Sequence, residues 1–343
     1  MGQRALQLGV VGVGRIGAFH AATLRGLPGV AGLVLTDADA GCASALAREL
    51  GASTSPSADA LLASGIDAVV IATPTPGHAP LLKAAAAAGV PAFCEKPVSL
   101  ELDVLDAVID EVERAGTLVQ IGFQRRFDAG YVAAHEVVSA GALGDLLVLR
   151  AATHDPAPPA ESYIASSGGI FRDLHIHDFD AIRFVTGREI VEVFATGAVR
   201  ETPWFADHDD VDAAAIVIRL DDGTLGVVTG TRRDPLGYDV RLELLGTKDS
   251  VAVGVDARTP LRSLEAGQPE ATDGYPDFLV RFAAAYRAEL QAFLDTVRDG
   301  GPSLCPLTEA RAALAVALAA DRSRAERRPV SIEEVTSAHA LAG

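Results

Sequence analysis

The sequence predicts two domains of different class. Residues 1–122 read as a doubly wound parallel α/β sheet, and residues 123–343 as an α+β domain with a large, open, mostly antiparallel sheet. Three observations carry this. Short continuous apolar runs alternate with helical patterns in the first part of the chain, as expected of strands covered on both faces by crossover helices. After Gly122 the strands lengthen and follow one another through tight turns such as Asp221-Asp222-Gly223-Thr224, which suits antiparallel pairing. A glycine-rich turn, Gly12-Val13-Gly14-Arg15-Ile16-Gly17, joins the first strand to the first helix.

In the first domain the apolar runs place strands at Leu6–Val11, Gly32–Thr36, Ala68–Ala72, Pro91–Cys94 and Leu118–Gly122. Amphipathic spacing places helices between them at Ile16–Leu27, Ala40–Leu50, Pro80–Ala88 and Leu100–Ala115. The second domain offers strands at Leu146–Thr153, Val191–Val199, Ala213–Leu220, Leu225–Thr231, Val240–Leu245 and Ser250–Val253. A helix around Asp173–His177 interrupts them, and two late helices follow, Tyr275–Arg298 and Thr308–Arg324. The last helix is able to pack back on the first domain. Pro156–Pro159 and Pro260–Asp273 read as loops.

A chain of 343 residues suffices for two cores. A net charge of −17 disfavours nucleic acid or an anionic membrane as partner. No apolar run approaches the length of a membrane span, and Met1-Gly2-Gln3-Arg4 runs into a strand without a cleavable signal pattern. Cys42, Cys94 and Cys305 are odd in number and widely spaced. They form no disulfide framework, so a reducing cytosol is the expected compartment.

The glycine-rich turn permits close approach of backbone to a pyrophosphate at the positive end of the first helix, with Gly12, Gly14, Arg15 and Ile16 facing it. Asp37 ends the second strand, twenty residues past Gly17. A carboxylate there accepts hydrogen bonds from ribose hydroxyls and repels a 2′-phosphate, so NAD is favoured over NADP. Thr73-Pro74 with His78, and Glu95-Lys96-Pro97, lie at the carboxyl ends of later strands, where such sheets bind ligands. Gln124, just past the last strand of this domain, joins the cofactor-binding set. His78 either touches the nicotinamide ribose or caps a helix. A lysine directly after a buried strand pays desolvation and needs a purpose. The Lys96–Pro97 bond is also of the kind where a cis peptide is accessible.

The stretch Gly168-Gly169-Ile170-Phe171-Arg172-Asp173-Leu174-His175-Ile176-His177-Asp178-Phe179-Asp180 carries the second half of the chemistry. On a helix of 3.6 residues per turn, Asp173 and His177 fall about 40° apart, while His175 points the other way. Oxidising a secondary alcohol removes a hydride from carbon and a proton from oxygen. His177 suits the proton, since an imidazole titrates near neutrality. Asp173 can orient that ring, and the Lys96 ammonium can stabilise the developing alkoxide. On spacing alone, Asp173 and His177 could equally form a plain helical ion pair. His175 and His177 diverge and lack a third ligand at metal spacing, which argues against a metal. His20, His135, His208 and His339 stand isolated, and Tyr163, Tyr275 and Tyr286 read as packing residues.

Glu95-Lys96-Pro97 and Gly169…Asp173…His177-Asp178 together resemble the Gfo/Idh/MocA family of nicotinamide-dependent sugar and polyol oxidoreductases. Gln124-Arg125-Arg126-Phe127-Asp128 and the stretch from Gly169 to Asp180 are most similar to the inositol 2-dehydrogenases within it. The resemblance implies a Rossmann domain, then an α+β domain whose open sheet packs on a second subunit, giving dimers or tetramers. It implies Lys96, Asp173 and His177 as the catalytic triad, acting in the cleft between the domains. It also places Arg126, His154, Asp155 and Tyr238 beside a cyclitol. The expected reaction is oxidation of myo-inositol to its 2-keto product with NAD. The alternatives are another sugar or inositol isomer, and, more distantly, a non-catalytic NAD-sensing protein. The segment His154-Asp155-Pro156-Ala157-Pro158-Pro159 lacks an Asn expected in some inositol enzymes.

Overall fold

The computed structural model describes residues 4–265 and 273–340. Met1–Gln3, the part of the expected loop over residues 266–272, and the side chain of His339 lie outside the described residues. The chain forms two compact units, residues 1–124 with 286–311, and residues 125–285 with 312–343.

The first unit holds strands β1 (Leu6–Val11), β2 (Val30–Thr36), β3 (Ser53–Thr54), β4 (Ala68–Ile71), β5 (Ala92–Glu95) and β6 (Val119–Gly122) in the order β3-β2-β1-β4-β5-β6. Every described ladder in this sheet is parallel. The strands were legible because β4, β5 and β6 are buried along their whole length. The chain steps outward from β1 to β3 and then returns to β4, so the loops after β1 and β4 separate at a switch point where a ligand crevice opens. Helices α1 (Arg15–Arg25), α2 (Ala40–Leu50), α3 (Ala58–Leu62), α4 (His78–Ala87) and α5 (Leu102–Ala115) make the crossovers. Asp39 caps α2 by accepting from Gly41 and Cys42 backbone N–H groups. The core joins Leu8, Val10, Leu24, Leu35, Val70 and Phe93 to Leu290, Phe293 and Leu294 from far down the chain. The first unit therefore takes back residues that lie well beyond the change of pattern at Gly122.

The second unit begins with α6 (Ala129–Ser139) and builds a sheet from β7 (Leu146–His154), β8 (Ile190–Ala198), β9 (Ala213–Leu220), β10 (Leu225–Thr231), β11 (Asp239–Gly246), β12 (Ser250–Val253) and β13 (Val330–Ser331). Their order is β12-β11-β7-β10-β9-β8-β13. The sheet is mixed: β10 runs parallel to β7, while the other described ladders are antiparallel. Along β9, Ala214, Ile216, Ile218 and Leu220 are buried and the alternate residues are exposed, the period-two pattern of a sheet with one covered face.

Two elements differ from expectation. The helix expected over Tyr275–Arg298 is broken into Phe278–Arg281 and Ala283–Asp299. Tyr275 instead bridges to Tyr238, whose N–H donates to its carbonyl at 2.7 Å, and Asp277 caps the short helix at Val280. The helix through Asp173 and His177 is also not uniform. After α7 (Glu161–Ser167) and the left-handed Gly168 and Gly169, residues Phe171–His175 form a π-helical turn, and α8 (Ile176–Thr186) follows. Ile170 N–H is drawn off to Asp210 Oδ1 at 2.9 Å, which anchors the start of the turn. Its wider i→i+5 pattern replaces the angle expected from 3.6 residues per turn.

Candidate active site

In the first unit the glycines divide their work. Gly12 has φ +87°, and a side chain there would meet the Ala72 and Thr73 backbone at 2.8 Å, closing the β1 and β4 loops on each other. A Cβ on Gly17 would lie 2.0 Å from the Gly12 carbonyl oxygen, so this glycine lets α1 pack on the turn. Gly14, at the N-cap of α1, faces open space, with nothing within 4 Å of where a Cβ would stand. No side chain caps this end of the helix, and its first turn carries no acidic residue. The backbone around Gly14, Arg15 and Ile16 therefore offers N–H groups and a positive helix end to an anion.

Asp37 flanks the same turn. Its Oδ2 accepts from Val13 N–H at 2.7 Å and its Oδ1 from Asp39 N–H at 2.9 Å, fixing a half-buried carboxylate. At the end of β4, Thr73 Oγ1 is buried with no hydrogen-bond partner, and just past β6 the same holds for Gln124 Oε1. Pro74 beside them is exposed. Unfilled polar atoms at strand ends, a bare helix terminus and a fixed carboxylate suit a dinucleotide with its pyrophosphate over Gly14. The residues present fit NAD.

His78 takes a different place from the one expected of a ribose ligand. Its Nδ1 lies 2.7 Å from the Pro97 carbonyl and its Nε2 2.6 Å from the Thr73 carbonyl. Burial pushes its pKa down. The ring lies between the two strand-end loops, and its N–H, on either nitrogen according to tautomer, donates to one of the two carbonyls. The Lys96–Pro97 peptide is cis. Lys96 itself is half-buried, and its N–H donates to Glu95 Oε2 at 3.3 Å. The other Glu95 oxygen accepts from His20 Nε2 at 2.6 Å. His20, expected to stand alone, is fully buried among Phe19, Phe93 and Tyr286.

In the second unit His154, Asp155 and Tyr238 lie at one end of neighbouring strands β7 and β11, and Arg232, just past β10, ties Asp173 to Asp155 there. His154 ends β7 and its Nδ1 lies 2.8 Å from Thr231 Oγ1, at the end of β10. Burial lowers its pKa. Tyr238 precedes β11, whose Asp239 pairs in register with His154. Its ring is buried edge-on to Phe278 and Phe282, and burial raises the phenol pKa.

Asp173 is held by two groups that sequence reasoning missed. Tyr163 OH donates to its Oδ1 at 2.7 Å, so this tyrosine is a polar partner rather than a packing residue. Arg232 donates to Asp173 Oδ2 at 2.8 Å and to Asp155 Oδ2 at 3.1 Å. Burial opposes the guanidinium charge, but Asp173 and then Asp155 outweigh it and keep Arg232 charged. Nothing in the local pattern Thr231-Arg232-Arg233-Asp234 marks one arginine as interior. His177 is half-buried in the first turn of α8, one turn after Asp173.

Arg126 is bidentate on Asp180 with contacts of 2.7, 2.9 and 3.1 Å. Its neighbour Arg125 is the more buried of the two. It donates to Asp178 at 2.6 Å and to Thr153 Oγ1 at 3.0 Å, and Asp178 also accepts from His175 Nδ1 at 2.8 Å. Burial raises and Arg125 lowers the pKa of Asp178, with the net shift downward. His175 therefore belongs to this buried network and diverges from His177. Among the described residues no His, Cys, Asp and Glu group is arranged to hold a metal ion, and no helix is long and apolar enough to cross a membrane.

Comparison with known proteins agrees with both halves. Residues 6–123 match the family model described as an oxidoreductase family with an NAD-binding Rossmann fold, and residues 131–252 match the Gfo/Idh/MocA C-terminal domain. A myo-inositol dehydrogenase from Streptomyces leeuwenhoekii is 42% identical over 323 residues, covering 93% of this chain and 97% of that protein. The myo-inositol 2-dehydrogenase of Thermotoga maritima is 36% identical over 333 residues, covering 96% and 99%. The crystal structure of scyllo-inositol dehydrogenase from Lactobacillus casei, with bound NAD(H) and scyllo-inositol, superposes with a TM-score of 0.87 at 28% identity, covering 96% and 99%. With a parallel sheet closed by an open glycine turn, a mixed second sheet, and relatives of this identity along nearly its whole length, the chain belongs to the Gfo/Idh/MocA family of NAD-binding oxidoreductases.

Proposed function

We propose that the protein oxidises a ring hydroxyl of an inositol, myo-inositol before other isomers, to the corresponding ketone with NAD. The observation that carries this is the polar edge of the second sheet, where Asp173, Asp155 and His154 are fixed by Arg232, Tyr163 and Thr231. A row of immobile donors and acceptors suits a ligand that presents hydroxyls around a ring. The inositol dehydrogenases among its relatives support the substrate class.

NAD, when bound, takes the hydride. The chain's own residues handle the proton and the charge. His177 accepts the hydroxyl proton at a ring nitrogen as the C–O bond gains double-bond character. Asp173, hydrogen-bonded by Arg232 and Tyr163, favours the imidazolium that results. The Lys96 ammonium stabilises negative charge on the reacting oxygen. Asp37 holds the ribose hydroxyls, and the α1 terminus at Gly14 holds the pyrophosphate. Arg126, committed to Asp180, shapes this region through that ion pair.

The test is NADH formation at 340 nm from NAD with a panel of inositol isomers and pyranoses. Turnover with myo-inositol, lost on Lys96→Ala or His177→Ala while NAD still binds, is the expected result. Silence across the panel despite NAD binding would reject the proposal. Preference for scyllo-inositol or a pyranose would move the substrate assignment without touching the residue roles.

We further infer a homo-oligomer, a tetramer or dimer, working in the cytoplasm. The uncovered sheet face presents Phe194, Val217, Leu225 and Val227 in adjacent strands, rimmed by Arg219–Glu192 and Arg150–Glu243 ion pairs. An apolar centre with a charged rim suits a second copy of the chain. Val217→Glu should shift the sedimentation coefficient towards a smaller species. An unchanged coefficient would place the contact elsewhere.

A further inference from the structure

Arg232 enters the activity as stated only as a partner of Asp173, yet its own placement ties two carboxylates together. It leaves β10 with its side chain 4% exposed, and its two terminal nitrogens are spent on two different carboxylates, Asp173 at 2.8 Å and Asp155 at 3.1 Å. Those carboxylates come from separate places in the chain: Asp155 follows β7, and Asp173 lies in the π-helical turn. The backbone is fixed too. Arg232 N–H donates to the Asp212 carbonyl at 2.8 Å, and Asp155 N–H donates to the Thr231 carbonyl at 2.9 Å. A lysine cannot span two carboxylates in this way, whereas a planar guanidinium can.

We propose that Arg232 is a positioning residue for the reaction: it locks the polyol-facing Asp155 and the proton-relay Asp173 into one unit, with Tyr163 fixing the remaining oxygen of Asp173. The inference rests on the functional reading given above and adds residues to it. Substrate contact at Asp155 is thereby felt at Asp173 through a rigid fork. The groups that face Asp173 are Tyr163 on α7, Arg232 after β10, and Asp155 beyond Arg232; Arg172 and His177 flank it on its own segment. Tyr163 and Arg232 both stabilise the ionised carboxylate, the first by a hydrogen bond and the second by charge as well. Removing either leaves the Asp173 carboxylate less neutralised, which favours the imidazolium form of the His177 base, so the acidic limb of kcat/KM moves to higher pH.

The test is steady-state kinetics across pH on Arg232→Met, Arg232→Lys and Tyr163→Phe, with thermal unfolding alongside. For Arg232→Met, kcat should fall roughly 10- to 100-fold, the scale of a lost hydrogen bond to a charged group. Its acidic limb should move up by about one pH unit, with the KM for NAD unchanged. Arg232→Lys should restore the limb through its charge but recover only part of kcat. Tyr163→Phe should shift the limb less than Arg232→Met. Should Arg232→Met fail to fold, the lysine and phenylalanine variants decide. Wild-type kcat and an unmoved limb in both would overturn the proposal, as would the same result in folded Arg232→Met. Asp173→Asn serves as the control: normal turnover there would refute the functional reading itself, whereas an inactive control with unaltered Arg232 and Tyr163 variants refutes only this inference.

Discussion

His20 and Glu95, 75 residues apart in sequence, meet at 2.6 Å inside the first unit, and the same glutamate accepts the backbone N–H of Lys96. The lysine assigned to the reacting oxygen is thus seated on a carboxylate that an interior histidine holds from behind. Removing the imidazole leaves Glu95 Oε1 buried without its partner. His20→Leu is expected to cost about 2 kcal/mol or more in denaturant unfolding. A double-mutant cycle with Glu95→Gln should give a coupling above about 1 kcal/mol; additive effects would show that the pair does not act as one.

The glycine turn separates folding from binding. Gly14→Val should leave the unfolding midpoint nearly unchanged, since its Cβ meets nothing, but raise the Kd for NAD by tenfold or more. Gly17→Ala should do the reverse, lowering the melting temperature by several degrees, because its Cβ would sit 2.0 Å from a carbonyl oxygen. Calorimetry and NAD titration on both variants check this. Equal behaviour of the two would contradict the division of roles.

Cofactor choice is expected to turn on Asp37. Asp37→Ser removes the charge that repels a 2′-phosphate, so the ratio of kcat/KM for NADP to that for NAD should rise by tenfold or more. A ratio that does not move would mean the carboxylate faces away from the ribose.

Asp178 gives a pH signature to the second unit. Its folded pKa lies below the ordinary carboxylate value: burial pushes it up, but Arg125, His175 and Thr153 together outweigh that cost. A depressed carboxylate contributes stability that is complete above about pH 4, its unfolded value, and is lost as the pH falls further towards the folded one. The unfolding midpoint of the wild type should therefore drop on acidification below that point, and Asp178→Asn should flatten that part of the profile. Arg125→Met, which strands a buried carboxylate, should cost about 3–5 kcal/mol at neutral pH.

The parallel sheet was legible because continuous apolar runs such as Ala68–Ile71 have few other uses, and the antiparallel ladders because β9 and β10 alternate cleanly around Asp221-Asp222-Gly223-Thr224. The fingerprint glycines and Asp37 were legible through spacing. Partnerships across long sequence distances were not: His20 with Glu95, Arg232 with Asp173, and Arg125 with Asp178 leave no local periodicity. Tyr163 was read as packing because a ring in a short helix hides where its hydroxyl points. The π-helical turn escaped because its residues carry an ordinary helical pattern, and the hydrogen bond at its start comes from Asp210, forty positions from Ile170.

The parallel run of β10 beside β7 has a consequence of its own. Two neighbouring strands that travel the same way release the chain at the same rim, so His154-Asp155 and Thr231-Arg232 emerge together, where a hairpin would have sent them to opposite rims. The segments leaving that rim can be lengthened, shortened or exchanged without disturbing the hydrophobic layer beneath. On the proposed function, ring alcohols would be told apart at two adjoining exits from a stiff platform, so that new ones could be accepted by altering joints alone.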